Sequence, residues 1–427
     1  MRSSWKSLVC LGNSPRDSLP DDEGMNNNSD FRARVLAQLG AAGDETVELL
    51  RYNENIFDQS QALSYDFPLA DEPFVKTWEQ YVAEVRDNGT ISVLAQYLVE
   101  LRFPICSGMS STKDYRSATR RGTDSRESSI ASGLRLQSPG QCRVMLHQTI
   151  AGRIPLIIAP LREDFVTLVQ ALAMHNEPIL IPDSMGALMV SGHNNWHRIQ
   201  MLAQDLDWDL RSERSRSECF QYLEQHKDLY QDRFIILSEG PYSGVPARDL
   251  NLSNDEWDKL SFVIRREHEC THYATRRIFS SMRNNLLDEL IADVNGIIAA
   301  SGCFRGDWLL RFFGLESFPN YREGGRLENY LGDPCLSEGA FALLQVILKR
   351  AIENLELFYC NCANELRRPE LRPVLLMTLA GFTAEELASD EAFMLLSKRF
   401  RALRTKFSNR ALPSKLKCGL TGFGSCS

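Results

Sequence analysis

The chain has 427 residues, 43% of them hydrophobic, and a net charge of −8 at neutral pH. That is enough apolar material for a sizeable core spread over two or three subdomains. The most apolar run, 154–160, is far short of a membrane span, and eleven Cys, an odd number without paired spacing, exclude a disulfide framework or a zinc ribbon.

Residues 1–29 hold Pro, Ser, Asp and an Asn run with few apolar positions, and are expected to be disordered. Leu8-Val9-Cys10-Leu11 ahead of Gly12 is too short for a signal peptide, so the chain is expected to be cytoplasmic. A helical region spans 30–103, with apolar spacing from Val35, Leu36 and Leu39 through Trp78 and Tyr81 to Leu98 and Leu101, broken at Asn88-Gly89. Residues 104–140, rich in Ser, Thr, Arg and Gly, read as a linker or exposed loop, with Arg120-Arg121 as a solvated pair.

The periodicity changes at 141, and 141–302 is expected to be a mixed α/β part. Val144–Ile150 and Ile154–Ile158 flank Ala151-Gly152-Arg153 as a hairpin. A helix over 162–175, strand-like 178–181 and 187–190, helices over 194–205 and 215–228, and a strand over 233–238 follow. His193 and His197 are four apart but have no acid suitably placed between them, which makes them structural or substrate-contacting rather than a metal pair. Cys360 and Cys362, two apart on a helix, point to different faces and are no ligand pair either.

Ser253-Asn254-Asp255-Glu256 has the pattern of a capping box and predicts a helix start. On that helix Trp257, Leu260, Ser261, Ile264, His268, Thr271, His272, Thr275 and Phe279 share a face, so two imidazoles one turn apart continue a core-facing stripe. Buried imidazoles need partners for their polar atoms, and His-Glu-x-x-His at i and i+4 suits a tetrahedral zinc ion with Glu269 beside it as general base. A second helix, from Asn284 or Asn285 to Ser301-Gly302, puts Glu289, Ala292, Asp293, Gly296 and Ala300 on one face of an otherwise apolar rod. Acids there call for a cation or donors, and their small neighbours let another helix come close. Helices over 305–314, 337–360 and 383–405 make 303–405 a helical part, and 406–427 is a basic tail. From Lys398 onward there are eight Lys or Arg and no acid; such a tail can contact an acidic partner but is more simply solvated. Nothing marks nucleic-acid binding.

His268-Glu269-x-x-His272 with Glu289-x-x-x-Asp293 resembles the gluzincin, thermolysin-like metallopeptidases over residues 268–296. The resemblance implies an α+β, zincin-like fold: a mixed sheet subdomain, an active-site helix and a helical C-terminal subdomain. It implies that His268, His272 and Glu289 bind Zn2+, that Glu269 activates the water, that Asp293 orients one ligand His, and that the substrate is a peptide or amide. By the same analogy the strand before the metal helix offers an edge to an extended substrate. Two features depart from the family. Only sixteen residues separate His272 from Glu289, and no His follows His272. The transition-state role of the family's later His falls to Tyr273, Tyr321, Arg322, Arg326 or Tyr330. The function expected is a zinc-dependent hydrolase of peptide or amide bonds; the alternatives are an inactive zincin-like scaffold holding metal or a peptide partner, and a chance match in a binding protein.

Overall fold

The computed structural model describes residues 22–408 apart from 211 and 283–284. The expected disorder of residues 1–21 and the tail beyond Ser408 lie outside the described residues. The chain is α+β: mostly helical, with one four-stranded mixed sheet. Its described residues divide into two compact units, one comprising residues 70–240, the other 22–69 and 241–408. The strands and the His-bearing helix, grouped together over 141–302 by their sequence patterns, thus belong to different units.

The first unit is built on the sheet. Strands β1 (Arg143–Thr149) and β2 (Gly152–Ala159) form the expected hairpin, antiparallel with Arg143 opposite Ile158. β2 runs parallel to β4 (Gln231–Ser238), and β3 (Ala187–Asn194) lies antiparallel on its other side, giving the order β1-β2-β4-β3. β4 is therefore an interior strand with no edge to offer a substrate, contrary to the analogy. Its run Phe234-Ile235-Ile236-Leu237 is buried without alternation, the pattern of a strand covered on both faces. Trp78 and Tyr81 from the Phe74–Asn88 helix and Phe165 from the Arg162–Leu172 helix share a core cluster with Phe234 and Ile236.

Two sequence expectations differ in this unit. Residues 178–181 form no strand; Leu180 is 80% exposed, so only Ile181 of that run is fully buried, and the flanking Pro178 and Pro182 have no N–H to give a ladder. Residues 104–140 are not simply exposed: Thr112 caps a helix over Lys113–Arg121, and Tyr115 and Ala118 are buried. His193, read as structural or substrate-contacting, lies on β3 and pairs with Glu100, and His197 lies on the Trp196–Asp205 helix against the Tyr81 hydroxyl.

The second unit is helical. The chain is already helical from Asp22, in the Asp22–Gln38 helix, where disorder to residue 29 was expected. The long Glu338–Leu366 helix buries Leu344, Ile347, Leu348 and Ile352 completely or nearly so. The expected 383–405 helix is two, Ala384–Ala388 and Ala392–Ser408, and an unforeseen one covers Arg372–Leu379. The break falls at Ser389, which is extended at ψ 158° and turns both its N–H and its hydroxyl back to the Glu386 carbonyl, ending a five-residue helix that the Thr383–Glu386 capping box begins. Among the described residues no helix is long and apolar enough to cross a membrane.

Two helices of this unit position the candidate site. The first, Asn254–Phe279, begins where Ser253 accepts a hydrogen bond from the Glu256 N–H, and stops at Ser280 in the left-handed region at φ 59°. The second, Asn285–Ser301, ends before Gly302, also left-handed at φ +72°. They approach closely at one point: a Cβ on Gly296 would lie 2.8 Å from the Ile264 carbonyl oxygen. That oxygen is backbone and has no rotamer to yield. In an open helix Gly→Ala gains up to about 1 kcal/mol, whereas overpacking costs about 1–3 kcal/mol. Gly296→Ala is therefore expected to lower the denaturant midpoint; an increase in chemical denaturation would show that the helices have room to spare.

Candidate metal centre

Helical spacing places His268 and His272 one turn apart on the Asn254–Phe279 helix, where they are 7% and 6% exposed. Their ring centroids are 4.7 Å apart and the rings lie nearly perpendicular. Each Nδ1 meets a buried carboxylate of the neighbouring helix, His268 at Asp293 Oδ1 (2.8 Å) and His272 at Asp288 Oδ2 (2.9 Å). A carboxylate only accepts, so both Nδ1 atoms carry the proton and both Nε2 atoms present lone pairs. The two Nε2 atoms face each other at 3.0 Å, lone pair toward lone pair, an arrangement that a cation or a shared proton relieves.

Glu289 completes the set. Its Oε2 lies 3.4 Å from His268 Nε2 and its Oε1 3.8 Å from His272 Nε2, and the three residues offer ligand atoms all within 4.8 Å of one another. A tetrahedral ion with bonds of about 2.0–2.1 Å holds its ligand atoms about 3.3 Å apart, and the observed separations bracket that value. Two imidazoles and one carboxylate form a donor set of the kind that zinc takes with a fourth position left open.

The acids behind the imidazoles are themselves held. Asp293, fully buried, takes hydrogen bonds at Oδ1 from His268 and from the Tyr242 hydroxyl (2.6 Å), and at Oδ2 from Arg326 Nη2. Arg326 Nη1 also donates to the Tyr242 hydroxyl at 2.8 Å and to Ser243 Oγ at 3.2 Å. Asp288 receives the Thr275 hydroxyl at 3.3 Å as well as His272. The Tyr330 hydroxyl is hydrogen-bonded to Glu289, and the Tyr330 carbonyl accepts from the Tyr52 hydroxyl.

These contacts set the local electrostatics. Burial pushes His272 down, but the Asp288 carboxylate and Glu289 behind it outweigh that and the net shift is upward. Burial raises the Tyr242 phenol, with Arg326 opposing and Glu289 and Glu269 adding to the rise. Burial also drives Tyr330 well up, reinforced by the Glu289 charge. For Arg326 burial acts downward, yet Tyr242, Tyr330 and Glu289 prevail and its charge is secured.

Glu269 is half-buried beside the pair, close enough for its charge to act on Tyr242. Among the described residues no hydrogen bond or ion pair engages its carboxylate. The other expected site residues divide sharply. Tyr330 is joined to a ligand residue, and Arg326 holds Asp293 and Tyr242. Tyr273 is fully buried and accepts from Arg277 at 3.5 Å. Tyr321 donates to the Gly325 carbonyl at 2.8 Å, and Arg322 pairs with Glu316; among the described residues no bond joins Tyr321 or Arg322 to the His-Glu cluster. Asp288 and Tyr242 were not foreseen from sequence. Asp288 had one available signal, its placement beside Glu289 on a helix otherwise apolar; Tyr242 had none, lying in the short turn Tyr242–Gly244.

Residues 34–391 match the model of a family of unknown function, DUF7005, and the chain belongs to that family. Among curated proteins and among solved structures, nothing matches.

Removing a carboxylate that orients a metal-binding His costs about 10–100-fold in metal affinity. Zinc titration against a competing chelator is expected to place Asp288→Ala and Asp293→Ala in that range, and Glu289→Ala lower still. Unchanged affinity in Asp288→Ala would mean that His272 is not a ligand.

Proposed function

We propose that this member of DUF7005 is a zinc-dependent hydrolase of peptide or amide bonds, with a gluzincin-like centre formed by His268, His272 and Glu289. The observation that carries the proposal is the convergence of those three side chains, with both imidazole Nε2 lone pairs turned inward by carboxylates on Nδ1. Charge supports it. Glu269, Asp288, Glu289 and Asp293 crowd one region in which Arg326 pairs with Asp293 and Arg265 stands over the Tyr242 ring, and buried negative charge is costly unless a cation meets it.

When bound, zinc supplies Lewis acidity and makes water a stronger acid at neutral pH. Glu269, uncommitted and half-buried, accepts the proton of the attacking water and returns it to the leaving amine. Asp288 and Asp293 keep the imidazoles in the tautomer that presents Nε2. Arg326 and Tyr242 pin Asp293, and Tyr330 fixes the Glu289 carboxylate. Arg326 is a positioning residue here, because its donors are turned to Asp293, Tyr242 and Ser243.

One observation favours the alternative, a scaffold that holds metal without turnover: both imidazoles are more than nine-tenths buried, as in a structural site. Glu269 separates the two readings, since a structural ion has no use for an unpaired carboxylate at that position. The purified protein is expected to hold about one zinc per chain by elemental analysis. Glu269→Gln should retain that zinc while cleavage of a peptide library, read by mass spectrometry, falls about 10²–10⁴-fold. Cleavage undiminished in Glu269→Gln would remove its role as base, and loss of zinc by that variant would make it a ligand instead.

A further inference from the structure

A second feature of the helical unit lies outside the His-Glu cluster. An open cavity of about 510 Å3 is lined by the Arg372–Leu379 and Ala392–Ser408 helices and the short turn Ala62–Ser64. This volume is within the range of small-molecule sites, about 300–1,000 Å3. Its walls are apolar, supplied by Leu63, Met377, Phe382, Leu395 and Leu403, while among the described residues its charged lining groups are Lys398, Arg399 and Lys406, all cationic.

Arg399 distinguishes this cavity from an incidental crevice. Its guanidinium is half-buried, donates from Nε to the Met377 carbonyl at 3.3 Å and from Nη2 to Gln59 Oε1, and stands over the Phe382 ring at 5.9 Å. Both acceptors are neutral, and they use two of the five N–H donors. Among the described residues no carboxylate pairs with it. Burial accordingly pushes its pKa down, with Glu386 opposing from a distance. The pose depends on Gly381, because a Cβ there would lie 2.1 Å from the Arg399 Cζ. A desolvated guanidinium without a counterion is costly, and a carboxylate would satisfy it through charge-assisted hydrogen bonds.

From this geometry we infer a binding site for a linear aliphatic carboxylate, its hydrocarbon body against Leu63, Met377 and Leu403 and its carboxylate on Arg399, with Lys398 and Lys406 at the rim. Charge complementarity selects this occupant over the chain's own C-terminal segment, since residues 409–426 contain Lys and Arg but no Asp or Glu and would meet a cationic rim with like charge.

The test is calorimetric titration of the full chain with sodium dodecanoate below its micelle concentration, beside dodecyltrimethylammonium, which has the same hydrocarbon length and the opposite charge. Saturable one-site binding of dodecanoate and none of the cation is expected. Arg399→Gln should weaken dodecanoate about tenfold or more, the worth of a hydrogen bond to a charged group. Ala402→Trp, at an exposed lining position, should abolish binding by filling the groove without disturbing the Arg399 bonds, and it keeps the test decisive if Arg399→Gln unfolds. Absence of saturable binding, equal binding of the cation, or dodecanoate affinity unchanged in Ala402→Trp would overturn the assignment. Zinc content should be the same in all variants, so failure here leaves the His-Glu centre untouched.

Discussion

The two carboxylate-to-Nδ1 hydrogen bonds on His268 and His272 are the constraint on which the site depends. An unrestrained imidazole presents either nitrogen and turns about two side-chain torsions. Here Asp293 and Asp288 each take one Nδ1 proton, which fixes the tautomer and the ring plane together. Both Nε2 atoms are thereby driven toward a common point beside Glu289. This ordering reaches back to the helix pair: the carboxylates sit on one helix and the imidazoles on the other, and Gly296 under the Ile264 carbonyl is what lets the two backbones come close enough.

Around that centre each acid has its own answer to burial. Asp293 is neutralised by Arg326 and surrounded by three donors, Asp288 is shared by an imidazole and a threonine hydroxyl, and Glu289 is tied to a tyrosine. Asp293 is thus a finished structural charge, and Glu269 is the one carboxylate near the cluster left uncommitted among the described residues. The difference is what separates groups that shape the site from a group able to move a proton. Tyr242 ties the first kind together, touching Asp293, His268 and Arg326 through a single oxygen.

Much of this was legible where periodicity carries the information. The Ser253 cap, the i and i+4 imidazoles and the acid face holding Glu289 and Asp293 are local properties of two helices, and local spacing fixes which side chains share a face. Asp288 was not legible, because a helical wheel places it about 100° from Glu289 and says nothing about the angle at which a second helix crosses. Tyr242 and Arg326 meet across 84 residues in short 3-10 turns, too brief for a period to be read. In the sheet the hairpin was evident from its turn, but strand order was not; the unbroken apolar run of β4 was the available sign that it is central rather than an edge. The Lys113–Arg121 helix was missed because Tyr115 and Ala118 alone anchor it, too little to reveal a pattern amid charged neighbours.

Crystals of the zinc-loaded protein, with anomalous diffraction recorded on both sides of the zinc absorption edge, test the central claim most directly. A single strong anomalous peak is expected within about 2.0–2.2 Å of His268 Nε2, His272 Nε2 and a Glu289 carboxylate oxygen. A peak at cysteine sulfur or among surface carboxylates, with the two Nε2 atoms left facing each other, would contradict the account.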